Sequence, residues 1–280
     1  MRAIPVFMYH HVNWHEGDLV TLSPAGFEAH LRVLQERGFE TLFLEELLPI
    51  LRGERLPSRP AAALTFDDGH LDNWVFAFPL LRKYGMKATI FVITSWMEEG
   101  EIRGQWTPDG APGGDLPPIP RHGEAKKKAA RREGGAAMNW EEARAMEASG
   151  WVDIQSHTHW HRDYFSTAGG ECRLPPENRE PLKEDLIRSR KLIEARLQKK
   201  CRFLAWPWGR YDSAAQAMAR EAGFEAVVTT EKGVNLPASG ATSIRRIVAK
   251  SGDRGWFSRR LSIYSRAAVG RLYSRFSGRI

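Results

Sequence analysis

The sequence predicts an α/β fold built on a mostly parallel sheet. Short apolar, strand-like runs alternate with amphipathic helical segments along the 280 residues. Repeated strand–helix units of this kind place parallel strands side by side, either in an open sheet or in a closed barrel. The predicted strands, about seven in number, are residues 5–9, 62–66, 87–93, 152–155, 201–205, 225–229 and 242–248.

Helix boundaries are marked by capping residues between these strands. Ser23-Pro24 predicts a helix start, and Gly38 its end. Asn139 with Glu142 three positions later has the pattern of a capping box. Another helix is expected to begin at Asp212 or Ser213 and to end before Gly223. The charged segment 181–200 is expected to form a helix on the outer surface.

We expect residues 1–253 to form one domain, interrupted by an irregular insertion at 100–137. The insertion is rich in Gly and Pro, and its charged part shows no clear periodicity. A connection of this length is commonly either functional or disordered. It could therefore be a lid over a site or a surface insertion, and the sequence leaves both open.

The net charge of +7 is concentrated at the C-terminus. Residues 254–280 contain seven arginines and no acidic residue, and the other 34 basic residues balance the 34 acidic ones. Apolar residues recur there at helical spacing, which predicts a basic amphipathic helix. Such a helix suits an anionic membrane surface, but it could equally dock its apolar stripe on the domain. Nucleic acid is not expected as a partner, because no reading motif accompanies the charge.

Other features suggest a reducing, cytoplasmic setting, with peripheral attachment to the inner face of the membrane as an option. The two cysteines, Cys172 and Cys201, do not form a disulfide framework. The apolar run at the N-terminus is too short for a signal-peptide core. The oligomeric state is left open.

Two adjacent carboxylates, Asp67 and Asp68, follow the predicted strand 62–66 and precede Gly69. The glycine permits a sharp turn, and strand ends are where α/β proteins place their chemistry. About ninety residues later, His157 and His161 stand four positions apart, so that a tight turn would bring both imidazoles to one side. Two histidines and one carboxylate can hold a divalent metal, and the second carboxylate can act as a base.

These motifs, followed by Pro207-Trp208-Gly209, resemble those of polysaccharide deacetylases with the NodB homology domain, carbohydrate esterase family 4. The similarity extends from about residue 4 to about residue 250. The resemblance implies a deformed (β/α) barrel and hydrolysis of an N-acetyl group from a sugar. It also implies that Asp68, His157 and His161 bind one divalent metal, with Zn²⁺ expected first and Co²⁺, Ni²⁺ or Mn²⁺ as alternatives. Asp67 would then be the general base.

The sequence departs from the usual pattern of this family in two places. The late histidine that often serves as the acid is missing, since all nine histidines lie at or before residue 161. The strand ending in His10-His11 is similar to the permuted poly-N-acetylglucosamine deacetylases, which implies that a histidine of the first strand supplies the acid. We expect His10 in this role, with His11 as the alternative, although both could instead be polar residues at a strand end. Alternation along the strand allows only one of these two histidines to face the metal. The usual arginine is replaced by Ala205, and Arg246 could orient Asp67 instead, although it could equally pair with a surface carboxylate.

Substrate contacts are assigned to aromatic residues and to the third motif. Trp160 and Trp208 could stack on a sugar or line the acetyl pocket, although core packing explains either tryptophan as well. The backbone N–H of Tyr211 could hold the oxyanion. The expected substrate is an N-acetylhexosamine in a surface glycan or a lipid-linked intermediate of lipopolysaccharide or polysaccharide biosynthesis. A non-sugar amide or cyclic imide hydrolase and a non-catalytic glycan-binding relic are the alternatives.

Overall fold

The computed structural model describes residues 2–15, 17–109, 116–131, 133–167, 171–240 and 242–276. Nine strands form one sheet in which all pairings are parallel, and two short strands pair separately. The strands are β1 (Val6–Tyr9), β2 (His11–Val12), β3 (Thr21–Leu22), β4 (Glu40–Thr41), β5 (Ala61–Phe66), β6 (Ala88–Val92), β7 (Val152–Ser156), β8 (Phe203–Ala205), β9 (Ala226–Val228), β10 (Ser243–Ile244) and β11 (Ile247–Val248).

The strand order β10-β9-β8-β7-β6-β5-β1-β11, with β4 beside β5, agrees with the predicted deformed barrel. The predicted strand 242–248 is divided in two, and β4 is additional, so the expected number of about seven is too low. β10 pairs with β9, whereas β11 pairs with β1. One segment therefore joins both edges of the sheet, and Arg245 and Arg246 lie in the break between its two halves.

Side chains alternate between the inside and the outside of this barrel. Ala61 and Ala63 of β5 belong to an apolar cluster with Phe203 and Ala205 of β8, while Leu64 belongs to the outer core. Leucines of the helix 44–52 complete the inner cluster. Because side chains alternate along a strand, this parity continues to the ends of the strands. It directs Thr65 and then Asp67 towards the barrel axis.

Nine α-helices surround the sheet in the described parts of the chain. They are α1 (Pro24–Glu36), α2 (Leu44–Arg52), α3 (Phe78–Tyr84), α4 (His122–Arg131), α5 (Trp140–Ala148), α6 (Arg179–Leu197), α7 (Ser213–Glu221), α8 (Arg254–Tyr264) and α9 (Ala267–Phe276).

The predicted caps are present. The side chain of Ser23 accepts a hydrogen bond from the Gly26 N–H, and Asp212 caps α7. Asn139 and Glu142 form the predicted capping box at the start of α5.

The insertion at 100–137 is more regular than expected, because it contains α4. The sequence Glu-Ala-Lys-Lys-Lys-Ala-Ala within it consists of strong helix formers, and its lysines obscured any apolar periodicity. The flanking segments are tied to the loop that follows β5. The Leu71 N–H donates to Ala136 O, and the Met138 N–H donates to Gly69 O. The insertion thus runs beside the Asp67-Asp68 turn.

The basic C-terminal segment forms two helices rather than one. The first, α8, buries Phe257, Leu261 and Tyr264 in the core, as in the docking interpretation. Helix α8 ends at Tyr264, and the carbonyl of the next residue, Ser265, accepts a hydrogen bond from the Ala3 N–H. In α9, by contrast, Leu272 is 58% exposed. The residues after 276, including Arg279, and the side chain of Phe276 lie outside the described part. No helix in the described ranges is long and apolar enough to span a bilayer.

Candidate active site

The turn that follows β5 has an uncommon backbone conformation. Asp68 and Gly69 both have positive φ, 71° and 68°. An aspartate tolerates this left-handed region better than most residues do. At Gly69 a Cβ atom would lie 2.8 Å from Val92 Cγ1, so that only glycine fits without a shift of the neighbouring strand. The turn allows both consecutive carboxylates to be buried at the mouth of the barrel, each 3% exposed.

Asp68 lies beside the two predicted histidines. Its Oδ1 is 3.3 Å from His157 Nε2 and 3.6 Å from His161 Nε2. One donor atom from each of the three residues lies within 4.8 Å of the others. The structure therefore brings together Asp68, His157 and His161, as the resemblance implies.

Neighbouring groups fix the orientation of the His157 ring and the shape of the second-motif loop. His157 Nδ1–H donates to Ala205 O at 2.9 Å, which leaves Nε2 directed at Asp68. The Asp185 carboxylate accepts hydrogen bonds from the backbone N–H groups of His159 and Trp160. Both Thr158 and His161 have positive φ, 67° and 50°. These contacts support a tight loop that carries both imidazoles to one side.

This donor set fits a divalent cation. It offers two imidazole nitrogens and one carboxylate oxygen, and three protein ligands leave positions for water and substrate. Burial, followed by the charge of His157, lowers the pKa of His161 to about 3, so its ring is uncharged at neutral pH. Burial raises the pKa of Asp68, but hydrogen bonds from His157 and His70 outweigh this and hold it well below the usual value. His161 and Asp68 are thus held as neutral imidazole and ionised carboxylate, the forms that bind a metal.

Asp67 is held by hydrogen bonds from Arg246. The guanidinium donates from NH1 to Oδ1 at 2.6 Å and from NH2 to Oδ2 at 2.8 Å. Its Nε–H donates to Thr229 O at 3.0 Å, and the whole side chain is buried. Burial raises the pKa of Asp67, but the charges of Arg246 and His157 outweigh it, so the pKa lies below the usual value. The carboxylate is thus ionised and fixed in orientation.

His10 and His11 lie on opposite sides of the first strand. Ile4 and Val6 belong to the inner cluster, and His10 follows the same parity. Burial lowers the pKa of His10, whereas the charges of Asp68 and Asp67 raise it, and the net shift is downwards. His11 instead donates from Nδ1 to Asp72 Oδ2 at 2.6 Å. Of the two histidines, His10 is therefore the one grouped with the carboxylate pair.

The aromatic residues occupy different positions around the triad. Trp208 is 50% exposed, and its ring centroid lies 4.4 Å from that of His161. Trp160 lies between the guanidinium groups of Arg162 and Arg188, each 5.1 Å from the ring centroid. Trp208 thus offers a solvent-facing ring next to the triad.

Tyr211, which follows the third motif, makes contacts through both its side chain and its backbone. The hydroxyl of Tyr211 donates to Glu231 Oε1 at 2.5 Å, and its ring stacks on the buried Trp206. The backbone N–H of Tyr211 makes a hydrogen bond with Cys172. The role of Tyr211 as an oxyanion donor stays a prediction.

Sequence reasoning did not identify His70, which donates from Nε2 to Asp68 Oδ2 at 3.1 Å. Its position directly after the Asp-Asp-Gly run was the available signal. His70 also stacks on His11, with ring centroids 3.6 Å apart. Asp185 was missed as well, because nothing in a charged surface helix distinguishes the one carboxylate that turns inward.

Comparison with known proteins agrees with this architecture. The family model described as polysaccharide deacetylase matches residues 54–227. The Bacillus subtilis (strain 168) protein YxkH is 27% identical over 252 residues, covering 90% of this chain and 73% of that protein. The poly-β-1,6-N-acetyl-D-glucosamine N-deacetylase of Escherichia coli K12 is 20% identical, over 85% of this chain and 36% of the relative.

Solved structures support the fold assignment. IcaB from Ammonifex degensii superposes with a TM-score of 0.72 at 23% identity, covering 93% of this chain and 97% of that one. The Streptococcus pyogenes deacetylase PplD gives a TM-score of 0.71 at 21% identity, with 94% and 98% covered. Together with the family match, which includes the Asp67-Asp68 turn, the histidine loop and the third motif, this shows that the chain is an enzyme of the polysaccharide deacetylase family, the carbohydrate de-N-acetylases.

Proposed function

We propose that this enzyme removes N-acetyl groups from an N-acetylhexosamine in a surface glycan or in a lipid-linked intermediate of lipopolysaccharide or polysaccharide biosynthesis. The observation that carries the proposal is the buried, ionised Asp67, clamped by Arg246 beside the Asp68–His157–His161 triad. The names of its relatives from Escherichia coli and Staphylococcus aureus favour poly-N-acetylglucosamine as the substrate class.

The residues of the site have distinct roles in this reaction. A divalent ion held by Asp68, His157 and His161, for which we propose zinc, would supply polarisation of the acetyl carbonyl and activation of water. Asp67 takes the proton from the attacking water, and Arg246 keeps both oxygens of its carboxylate in place. His10 gives a proton to the departing amine nitrogen, which is a poor leaving group unless it is protonated.

The exposed ring of Trp208 favours a sugar over a cyclic imide. A small imide would be enclosed by a closed pocket, whereas a glycan chain needs an open site with an aromatic face on which a sugar ring can stack. Trp208 provides such a face 4.4 Å from His161. We expect Trp208→Ala to raise KM for a chitooligomer with little change in kcat, because stacking contributes to binding before chemistry.

The decisive experiment is turnover by the zinc-loaded protein on chitooligomers, on a lipid-linked N-acetylhexosamine and on a cyclic imide. We expect acetate release from the sugars only, and its loss in Asp67→Asn, which keeps the shape of the side chain but not its basicity. Acetate release that survives in Asp67→Asn would contradict the mechanism. Turnover of the imide alone would contradict the substrate class.

We further propose that α9 attaches the enzyme to an anionic membrane surface, on the cytoplasmic side of the cell membrane. Val269 and Leu272 are 44% and 58% exposed on this helix. Arg271 and Arg275 line a pocket beside α9 together with Arg245 and Lys232. Apolar side chains next to basic ones suit the interface of an anionic bilayer.

Vesicle flotation tests this attachment. Removal of residues 254–280 would expose the core that α8 covers, so the informative truncation ends at Ser265. We expect the full chain to float with phosphatidylglycerol vesicles and not with phosphatidylcholine vesicles, and both the truncated chain and Leu272→Ser to float less. Equal flotation of the full and truncated chains would remove the support for this proposal.

A further inference from the structure

A second histidine cluster lies next to the triad and has no role in the reaction described above. It consists of His11 at the start of β2, His70 in the loop after β5, and His122, the first residue of α4. One ring nitrogen of each residue lies within 4.8 Å of one nitrogen of each of the others. His11 and His70 are each 1% exposed, and His122 is half-buried.

Two of these imidazoles are oriented by carboxylates, which leaves the opposite nitrogen as an acceptor. His11 uses Nδ1–H to donate to Asp72 Oδ2 at 2.6 Å, so that Nε2 is its acceptor atom. His70 uses Nε2–H to donate to Asp68 Oδ2 at 3.1 Å. Its Nδ1 is buried and has no hydrogen-bond partner. A neutral imidazole has one donor and one acceptor nitrogen, so this buried acceptor is available to a cation.

The carboxylate behind His11 is itself held in place. Asp72 accepts hydrogen bonds from the side-chain amides of Asn13 and Asn73, at 2.6 and 3.1 Å. A histidine whose second nitrogen is fixed by a well-ordered carboxylate is the usual support of a metal ligand, because the carboxylate fixes the tautomer and raises the basicity of the ring.

The third imidazole completes the donor set. His122 Nδ1 lies 3.2 Å from His11 Nε2. Two ligands of a tetrahedral zinc ion, each at about 2.0–2.1 Å, are separated by roughly 3.3 Å. The rings of His11 and His70 stack with centroids 3.6 Å apart. Stacked rings do not direct their nitrogens at one point, so one of these two rings must rotate before all three histidines can bind the same ion.

We propose that His11, His70 and His122 form a second divalent-cation site, which ties the insertion to the barrel. Three imidazole donors without a thiolate suit zinc, copper or nickel rather than magnesium or calcium. The cation would join the start of β2, the loop after β5 and α4. A neighbouring hydrogen bond also connects the insertion to the barrel, since His15 Nε2–H donates to Ile119 O at 2.7 Å.

The test is the number of zinc ions bound by the full-length protein after metal removal and equilibrium dialysis against Zn²⁺, measured by elemental analysis. We expect two ions per chain in the wild type, one in His122→Ala, one in His157→Ala, and none in the double variant. His15→Ala is the matched control, since it loses a contact to the insertion but no member of the cluster, and it should retain two.

A single ion in both the wild type and His122→Ala would overturn the second site, and so would two ions in His122→Ala. A single ion that is lost in His122→Ala would support the second site and would contradict only the metal role of the triad. Limited proteolysis provides a readout that is independent of stoichiometry. Zinc should slow cleavage within residues 116–131 of the wild type but not of His122→Ala, and equal cleavage rates would contradict the tie to the insertion.

Discussion

Arg246 and Asp67 are 179 positions apart in the sequence, yet their side chains form a buried two-pronged ion pair at 2.6 and 2.8 Å. The pair forms because the segment 243–248 closes the sheet, with β10 paired to β9 at one edge and β11 paired to β1 at the other. Arg246 leaves the ladder between β10 and β11 and reaches the barrel interior over the ring of Phe91. A base at the end of one strand is therefore positioned by the closure of the barrel.

Arg246→Ala should greatly reduce kcat, because it leaves the Asp67 carboxylate buried without its counter-charge. Burial alone raises the pKa of this group, so the acidic limb of the pH–rate profile should move to higher pH. Removing one partner of a buried ion pair typically costs about 3–5 kcal/mol of stability. Both effects are measurable by steady-state kinetics across pH and by urea unfolding.

Arg245→Ala is the matched control for this substitution. Its side chain is 50% exposed and pairs with Glu231 only at 3.7 Å. The pH–rate profile should therefore stay in place, and the free energy of unfolding should change by no more than a few tenths of a kcal/mol.

The double variant Arg246→Ala/Ala205→Arg tests whether an arginine on β8 can hold the Asp67 carboxylate. Ala205 faces the same interior cluster, and an arginine there should partly restore activity. No restoration would indicate that β8 cannot supply the clamp.

His10→Asn should lower kcat by roughly 10²–10⁴-fold with little change in KM, as expected when a general acid is lost. The reason is that the amine departs after substrate binding, and His10 is the histidine of the first strand that faces the carboxylates. The measurement is acetate release from a chitooligomer at saturating and limiting concentrations.

His159→Gln is the control for removing a histidine near the site. Its ring makes a hydrogen bond with Thr94 Oγ1 at 2.7 Å and does not face the triad, so activity should stay within a few fold. A wild-type kcat in His10→Asn would exclude His10 as the acid.

Gly69→Ala should destabilise the fold more than Gly38→Ala. Both glycines have positive φ, 68° and 65°, so each substitution carries the same left-handed penalty of about 1 kcal/mol or somewhat more. Only at position 69 does the new Cβ meet another group, Val92 Cγ1 at 2.8 Å. Differential scanning calorimetry should show the larger drop in Tm for Gly69→Ala. Equal drops in Tm would contradict this prediction, because they would show that Val92 of β6 moves aside without loss of stability.

The parts of the site that depend on local pattern could be predicted from the sequence. Alternation along β5 and a glycine turn indicated the Asp67-Asp68 pair, and the spacing of His157 and His161 indicated their convergence. Alternation along the first strand also separated His10 from His11.

Other features depend on contacts between distant segments. The inward turn of Arg246 requires the closed sheet, and the position of His122 requires the fold of the insertion. Helix α4 was missed for a local reason, since a solvated, lysine-rich helix has almost no apolar stripe to detect.

Stability should fall as the pH drops from about 6.5 towards 4, because of His30. This residue of α1 is buried against Phe257, with ring centroids 4.1 Å apart, and it shares a hydrogen bond with the Tyr9 hydroxyl at 3.1 Å. Burial lowers its pKa from 6.5 to about 4. Above pH 6.5 the ring is neutral in both the folded and unfolded chains and contributes no pH dependence.

Between these two pKa values the unfolded chain binds the proton and the folded chain does not, so acid favours unfolding. The full shift corresponds to roughly 3 kcal/mol, at 1.36 kcal/mol per pKa unit. His30→Leu removes the titrating group and also the hydrogen-bond partner of the Tyr9 hydroxyl. The loss of that hydrogen bond lowers the stability by the same amount at every pH, so the comparison uses the slopes of the urea midpoints against pH. The wild-type slope between pH 6.5 and 4 should be steeper than that of His30→Leu. Parallel curves would show that His30 takes up its proton in the folded state as readily as in the unfolded one.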